Sequence, residues 1–255
     1  MSDTSANKLF SFQGYVYLGD RGSSGKLINP VWVGDATLNI ETSTESIEHK
    51  ESFSGQRLPY GRMDTSKSAT ATLTLFEATR DNLALALYAK SAKLVAGSVT
   101  GEAFPADLSP GKIVVLDHGF VTDLVIKDSS GTQKTLAEGV NYRLKHPDAG
   151  HVEILDVTTF TQPFSAAYQY EACEEFGIFS TTPPERWLQL VGKNTLNDEP
   201  VIVDLFRVKF DPASQLPLHN EEFGSFELKG SALVDSMLAT QSELGGFGRI
   251  TFRGA

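Results

Sequence analysis

Large apolar residues alternate with small or polar ones over Leu9–Tyr17 (LFSFQGYVY), the period of two that a half-buried strand requires. A flexible turn is expected at Gly19–Gly25, and Pro30–Gly34 leads into a second strand at Ala36–Thr42. In that strand Leu38 and Ile40 fall on one face and Thr37, Asn39 and Glu41 on the other, so one face is wet. Ser43–Met63 is polar, dense in charge and nearly free of aliphatics, and the Thr-rich alternation Ser68–Phe76 follows it. This predicts a long loop or an extended hairpin between two strands.

The period changes over Glu77–Lys90, where Leu83, Leu85, Ala86, Leu87 and Tyr88 make an apolar stripe. A helix is predicted there, with the side chain of Thr79 or Asp81 accepting a hydrogen bond from its first free amides. Val95–Ala172 reads as an all-β unit with strands at Lys112–Leu116, Asp123–Lys127, Tyr142–Leu144, His151–Leu155 and Ser165–Tyr170. The first pattern then returns, with strands expected at Arg186–Gly192, Val201–Phe210, Gly224–Val234 and Gly248–Arg253. The expectation is a mainly β protein with one helix. A discontinuous β domain of residues 1–94 and 176–255 is interrupted by a small β-sandwich at residues 95–175.

Composition narrows the function. The 255 residues are 40% hydrophobic and 21% charged, which suits a globular protein with a core of its own. A single cysteine, Cys173, excludes a disulfide framework within the chain and is expected to be a structural thiol. The opening residues Met1–Lys8 lack an apolar signal region, and no stretch approaches the roughly 20 apolar residues of a membrane span, so cytoplasmic folding without a membrane anchor is expected. With 32 acidic against 22 basic side chains the net charge is −10, which disfavours a nucleic-acid-binding surface. Residues 95–175 hold 5 basic and 12 acidic side chains, so most of the excess lies in the insert.

Catalytic constellations are not evident. Cys173 has no nucleophile motif around it, and there is no Gly-x-Ser-x-Gly. Among the histidines only His146 and His151 lie close in sequence, across a Pro–Gly turn where two imidazoles can meet at a metal, but no third ligand follows at a diagnostic spacing. Glu174–Glu175 and Glu221–Glu222 read as solvated carboxylates, and Gly19–Gly25 and Gly245–Gly248 as loop glycines without a phosphate-binding context. No cofactor and no enzymatic activity are expected.

Several short motifs, in order, carry a resemblance. They are Trp32-Val-Gly-Asp35, Leu38-Asn-Ile-Glu41, Ser46-Ile-Glu-His-Lys-Glu-Ser52 with Ser54-Gly-Gln-Arg57, and Thr70-Ala-Thr-Leu-Thr-Leu75 leading to Asn82-Leu-Ala-Leu-Ala86. In this order the chain resembles the tail tube (major tail) proteins of tailed bacteriophages. Gly97–Glu102, Ile113–Leu116, Val125–Asp128, Gly139–Tyr142, Gly150–Ile154 and Ala167–Tyr170 resemble the immunoglobulin-like insert that a subset of them carries.

The resemblance implies a tail-tube-type β-sandwich or barrel whose copies form hexameric rings. The rings stack into a virion tube through which DNA passes without specific binding, alongside tape-measure, terminator and initiator proteins. Lumen-facing positions would then be Asn39, Glu41, Thr72, Thr74, Glu227 and Lys229, and contacts between rings would use Glu45, Glu48, Glu51, Arg57 and Arg62. The arm Met1–Lys8, the segment Ser43–Met63 and the tail Glu243–Ala255 are candidates for ordering on assembly. Two other readings compete. One is another virion β protein, of the tail tip or a decoration, that binds host-surface glycans through the insert. The other is an enzyme whose site is assembled across subunits and uses His118, His146 or His151.

Overall fold

The computed structural model describes residues 9–23, 25–239 and 245–253. The protein is mainly β and divides into two compact units, one of residues 1–90 with 177–255 and one of residues 91–176. The expected insert of 95–175 thus compares with a unit four residues longer at its start and one longer at its end.

The first unit holds an eight-stranded antiparallel sheet. Its strands are β1 (Phe12–Arg21), β2 (Leu27–Trp32), β3 (Ala36–Lys50), β4 (Pro59–Leu75), β13 (Arg186–Asn194), β14 (Pro200–Phe210), β15 (Phe226–Ala232) and β16 (Gly248–Phe252), with eight further strands lying between β4 and β13 in the chain. The order is β2-β1-β13-β14-β15-β4-β3, and the sheet forks at β14. Val201–Leu205 of β14 pair with β16, whereas Val208–Phe210 pair with β15. Side chains of β1, β13 and β14 meet those of β4 and β15 in one core: Val16, Leu18, Leu188, Leu205, Val208 and Phe210 against Leu73, Leu75, Phe226 and Leu228.

The strand alternation read from the sequence reappears at atomic detail. Ala71, Leu73 and Leu75 are fully buried while Thr70, Thr72 and Thr74 between them stay half-exposed. The first strand runs Phe12–Arg21 rather than Leu9–Tyr17, extending into the expected turn, because residues as far as Gly19 pair with β13 and Asp20 and Arg21 pair with β2. Of the two readings of the polar segment Ser43–Met63, the extended hairpin holds, since β3 and β4 stay paired from Ala36–Leu75 out to Lys50–Pro59.

The helix α1 (Arg80–Ala86) is shorter than the stripe suggested. Thr79 is its cap, its side chain accepting from the Asn82 amide at 3.2 Å. The helix stops where Leu87 closes on Leu83 and Tyr88 adopts φ +50°. Buried Asn82 ties the helix to the sheet by donating to the carbonyls of Val33 and Glu77. A four-residue helical turn, α2 (Ser236–Ala239), was not anticipated.

The second unit is a sandwich of two three-stranded sheets. One contains β7 (Ile113–Val115), β10 (His151–Ile154) and β9 (Tyr142–His146). The other contains β6 (Gly97–Ala103), β11 (Ser165–Tyr170) and β8 (Val121–Lys127). Phe104, Ile126, Tyr142, Val152, Ile154, Phe164 and Tyr168 fill the space between them. A two-stranded ribbon, β5 (Lys90–Leu94) with β12 (Cys173–Gly177), stands where the chain enters and leaves the insert. The alternation pattern did not mark the ribbon, because its strands are short and carry few large apolar residues. Cys173 is half-buried and unpaired by disulfide.

Candidate functional site: a polar sheet face and a hairpin arm

The six positions expected on a wet face fall on one face of one continuous sheet. Residue pairing places Asn39 opposite Thr72 and Thr72 opposite Lys229, so these three form a row across β3, β4 and β15. The next row is Thr37, Thr74 and Glu227, and on the other side lies Glu41, Thr70 and Ser231. Because successive side chains alternate, the intervening Leu38, Ile40, Leu73, Leu75, Phe226 and Leu228 all point into the core. On these three strands the face therefore contains hydroxyls, an amide, two carboxylates and one ammonium group, and exposed Lys209 of β14, opposite Ser231, continues the last row. The ammonium on the three strands, that of Lys229, sits 3.3 Å from the Glu227 carboxylate. Asn39 Nδ2 donates to Glu41 at 3.5 Å.

The sheet ends at β3, which among the described residues has a hydrogen-bonded partner on one side only. Its open edge is fifteen residues long and contains no proline. An edge of that length displays a row of unpaired amides and carbonyls, the usual template for pairing with another chain.

Beyond the stretch where β15 pairs with β4, β3 and β4 continue as an arm. Ser43 and Ser68 hydroxyls meet at 2.8 Å, and Ser66 donates to the Glu45 carboxylate at 3.0 Å. Glu48 stands opposite Arg62 in the register, and the Arg62 guanidinium lies 3.9 Å from Asp64 with both side chains more than half exposed. Arg57 is exposed at the tip with φ +53°. These groups remain open to a partner.

Glu51 is different, and its expected role between rings is corrected here. Its carboxylate is buried in the tip, where it accepts from the amides of Phe53 (2.7 Å), Ser54 (2.8 Å) and Leu58 (3.3 Å) and from the Ser54 hydroxyl. The Ser54 hydroxyl and these amides hold the acid at about 2, far below its ordinary 4.5. Glu51 organises the turn and has no lone pair left for a distant cation.

Sequence reasoning also missed the arm's apolar side. Ile47 and Met63 face each other in the register, and both are exposed. Phe53, 79% exposed, packs edge-on against Tyr60 at 5.9 Å, with Leu58 also exposed nearby. These residues were hidden by the charges between them. An exposed cluster of this kind on an extended arm is suited to burial against another molecule.

Of the three segments expected to order on assembly, Met1–Lys8 and the ends of Glu243–Ala255 lie outside the described residues, while the middle of the tail forms β16. β16 is fastened by Arg249, which donates to Asp204 at 2.9 Å. Among the described residues no group of three His, Cys, Asp or Glu is arranged to hold a metal ion. No described helix is long and apolar enough to cross a membrane. His118, in the second unit, stacks on Tyr170 with ring centres 4.0 Å apart.

Fold and site together define a mainly β protein with a polar sheet face, an open sheet edge and an apolar-tipped hairpin arm. The chain belongs to the family described as protein of unknown function UCP028589, whose sequence pattern matches residues 9–251. A comparison with curated proteins finds no match.

Proposed function

We propose that this protein is a structural subunit of a bacteriophage tail tube. Six copies form a ring, rings stack in the virion, and the β3–β4–β15 face lines a channel for DNA. The observation that carries this reading is the continuity of the polar face up to the unpaired edge of β3. An antiparallel sheet with one wet and one buried face suits the wall of a water-filled channel. A head-to-tail contact at such an edge closes into a ring when the rotation between copies divides a full turn.

The chemistry of the face fits passage rather than binding. Tight DNA binding draws on several cations that displace counterions from phosphates. Here Lys229, the one lysine that β3, β4 and β15 place on the described face, is already beside a carboxylate. The arm supplies contacts between rings: Glu45, Glu48, Arg57 and Arg62 for ion pairs, each worth only about 0–1 kcal/mol when exposed, and Phe53, Tyr60 and Leu58 for apolar burial. The tape-measure, terminator and initiator proteins of a tail are the remaining partners. No cofactor, catalytic step or membrane anchor enters this reading.

Negative-stain electron microscopy of the purified protein at high concentration, with light scattering for mass, tests it. Sixfold rings or tubes with a central hole are expected. Closed oligomers without a channel favour instead a tail-tip or decoration protein whose insert binds host-surface glycans.

A further inference from the structure

The insert carries a feature that the tube does not use. His146 ends β9 and His151 begins β10, and the two are direct partners across the hairpin closed by the turn Pro147–Gly150. A register shift next to His151 places Lys145 as the extra residue on β9. Val152 points into the core, so its neighbour His151 points to the outer face, where its ring meets that of His146 at 5.6 Å between centres and 76° between planes. His146 is exposed and His151 half-buried. Neither imidazole has a hydrogen-bond partner among the described residues, so all four ring nitrogens are uncommitted.

We infer that His146 and His151 form a two-histidine chelate for a divalent transition-metal cation of the zinc, nickel or copper class. Histidine is the commonest protein ligand for such ions. With a metal–nitrogen distance of about 2.1 Å, each ring centre lies about 3.2 Å from the ion, and a tetrahedral angle then separates the two centres by about 5.2 Å. The observed separation of 5.6 Å is within a few tenths of an ångström of that value, and rotation about the side-chain bonds turns the ring nitrogens toward a shared ion. Glu153 lies two residues along the same face but is bound to Arg143, so it is not a third ligand. Two protein ligands leave the other positions to water, which makes this a weak, open site rather than a closed structural one. Because its ligands are the last pair before the turn, the ion staples the β9–β10 hairpin, and binding to the folded form alone raises the thermal stability of the insert.

The test is calorimetric titration of the full chain with zinc chloride, and separately with nickel chloride, together with thermal melts with and without metal. One ion per chain is expected, and the His146→Ala and His151→Ala variants should each bind at least tenfold more weakly and lose the metal-dependent rise in melting temperature. His49→Ala and His219→Ala should keep both. His151→Gln, with metal-free melts of every variant, separates loss of a ligand from loss of folding. Unchanged affinity in a folded His151 variant, or binding that His49→Ala or His219→Ala removes, overturns the inference. Tube formation has no bearing on either result.

Discussion

Lys229 faces Thr72 directly across the β4–β15 ladder while its ammonium lies 3.3 Å from Glu227 on its own strand. The cation at the centre of the polar face is therefore balanced where it stands. Thr72→Lys and Thr74→Lys add two ammonium groups per subunit at half-exposed positions that already tolerate solvent, so cations on this face of the three strands outnumber the carboxylates Glu41 and Glu227. Assembled particles of the double variant should retain double-stranded DNA on co-sedimentation at low salt and release it as salt rises, whereas the wild type should not retain it. Equal behaviour of the two removes the channel role from this face.

The tip of the arm should be acid-sensitive. The Glu51 acid is held at about 2 against an ordinary 4.5, so its contribution is complete above pH 4.5 and is lost as the pH falls from there toward 2. Glu51→Gln mimics the protonated state at neutral pH. Hydrogen exchange at the amides of Phe53, Ser54 and Leu58 should quicken in the variant at pH 7, while exchange in the core strands stays unchanged.

Phe53→Ser and Tyr60→Ser separate assembly from folding. Both side chains are exposed in the lone subunit, so the melting temperature should hardly move, with less than about 0.5 kcal/mol lost. Assembly should be reduced or abolished, as read by light scattering. A variant that assembles normally would show that the arm's apolar side is not buried on stacking.

Asp204 is 1% exposed and accepts from Trp187, Gln189 and Arg249, whereas Arg249 is 42% exposed. Arg249→Ala leaves the carboxylate two donors, so the loss should be about 1–2 kcal/mol, below that for breaking a fully buried pair. Denaturant unfolding measures it. Asp204→Ala should cost more, because the indole N–H of Trp187 then stays buried without its acceptor.

How much of this was legible in the sequence depended on range. The Leu–Thr alternation of β4 and the matching alternations of β3 and β15 are local, and they identified the polar face before its three strands were known to be neighbours. The fork at β14 joins β15 and β16 to one strand through contacts that no local pattern encodes. Glu51 looked like any charged arm residue because its partners are mostly backbone amides, which leave no side-chain signature. Phe53, Leu58 and Tyr60 do not alternate with a period of two because they surround a turn, so a periodicity argument passed over them. His146 and His151 were visible as a spacing, but their pairing depended on the register of β9 with β10.

The central claim is that copies of this chain join through the β3 edge into a sixfold ring with the β3–β4–β15 face inside. Cryo-electron microscopy of the assembled protein tests it most directly. The account predicts a hollow particle of sixfold symmetry with Asn39, Thr72 and Lys229 on the channel wall and the outer edge of β3 paired to a neighbouring copy. A closed particle without a channel, or a channel with this face turned outward and the β3 edge unpaired, would contradict it.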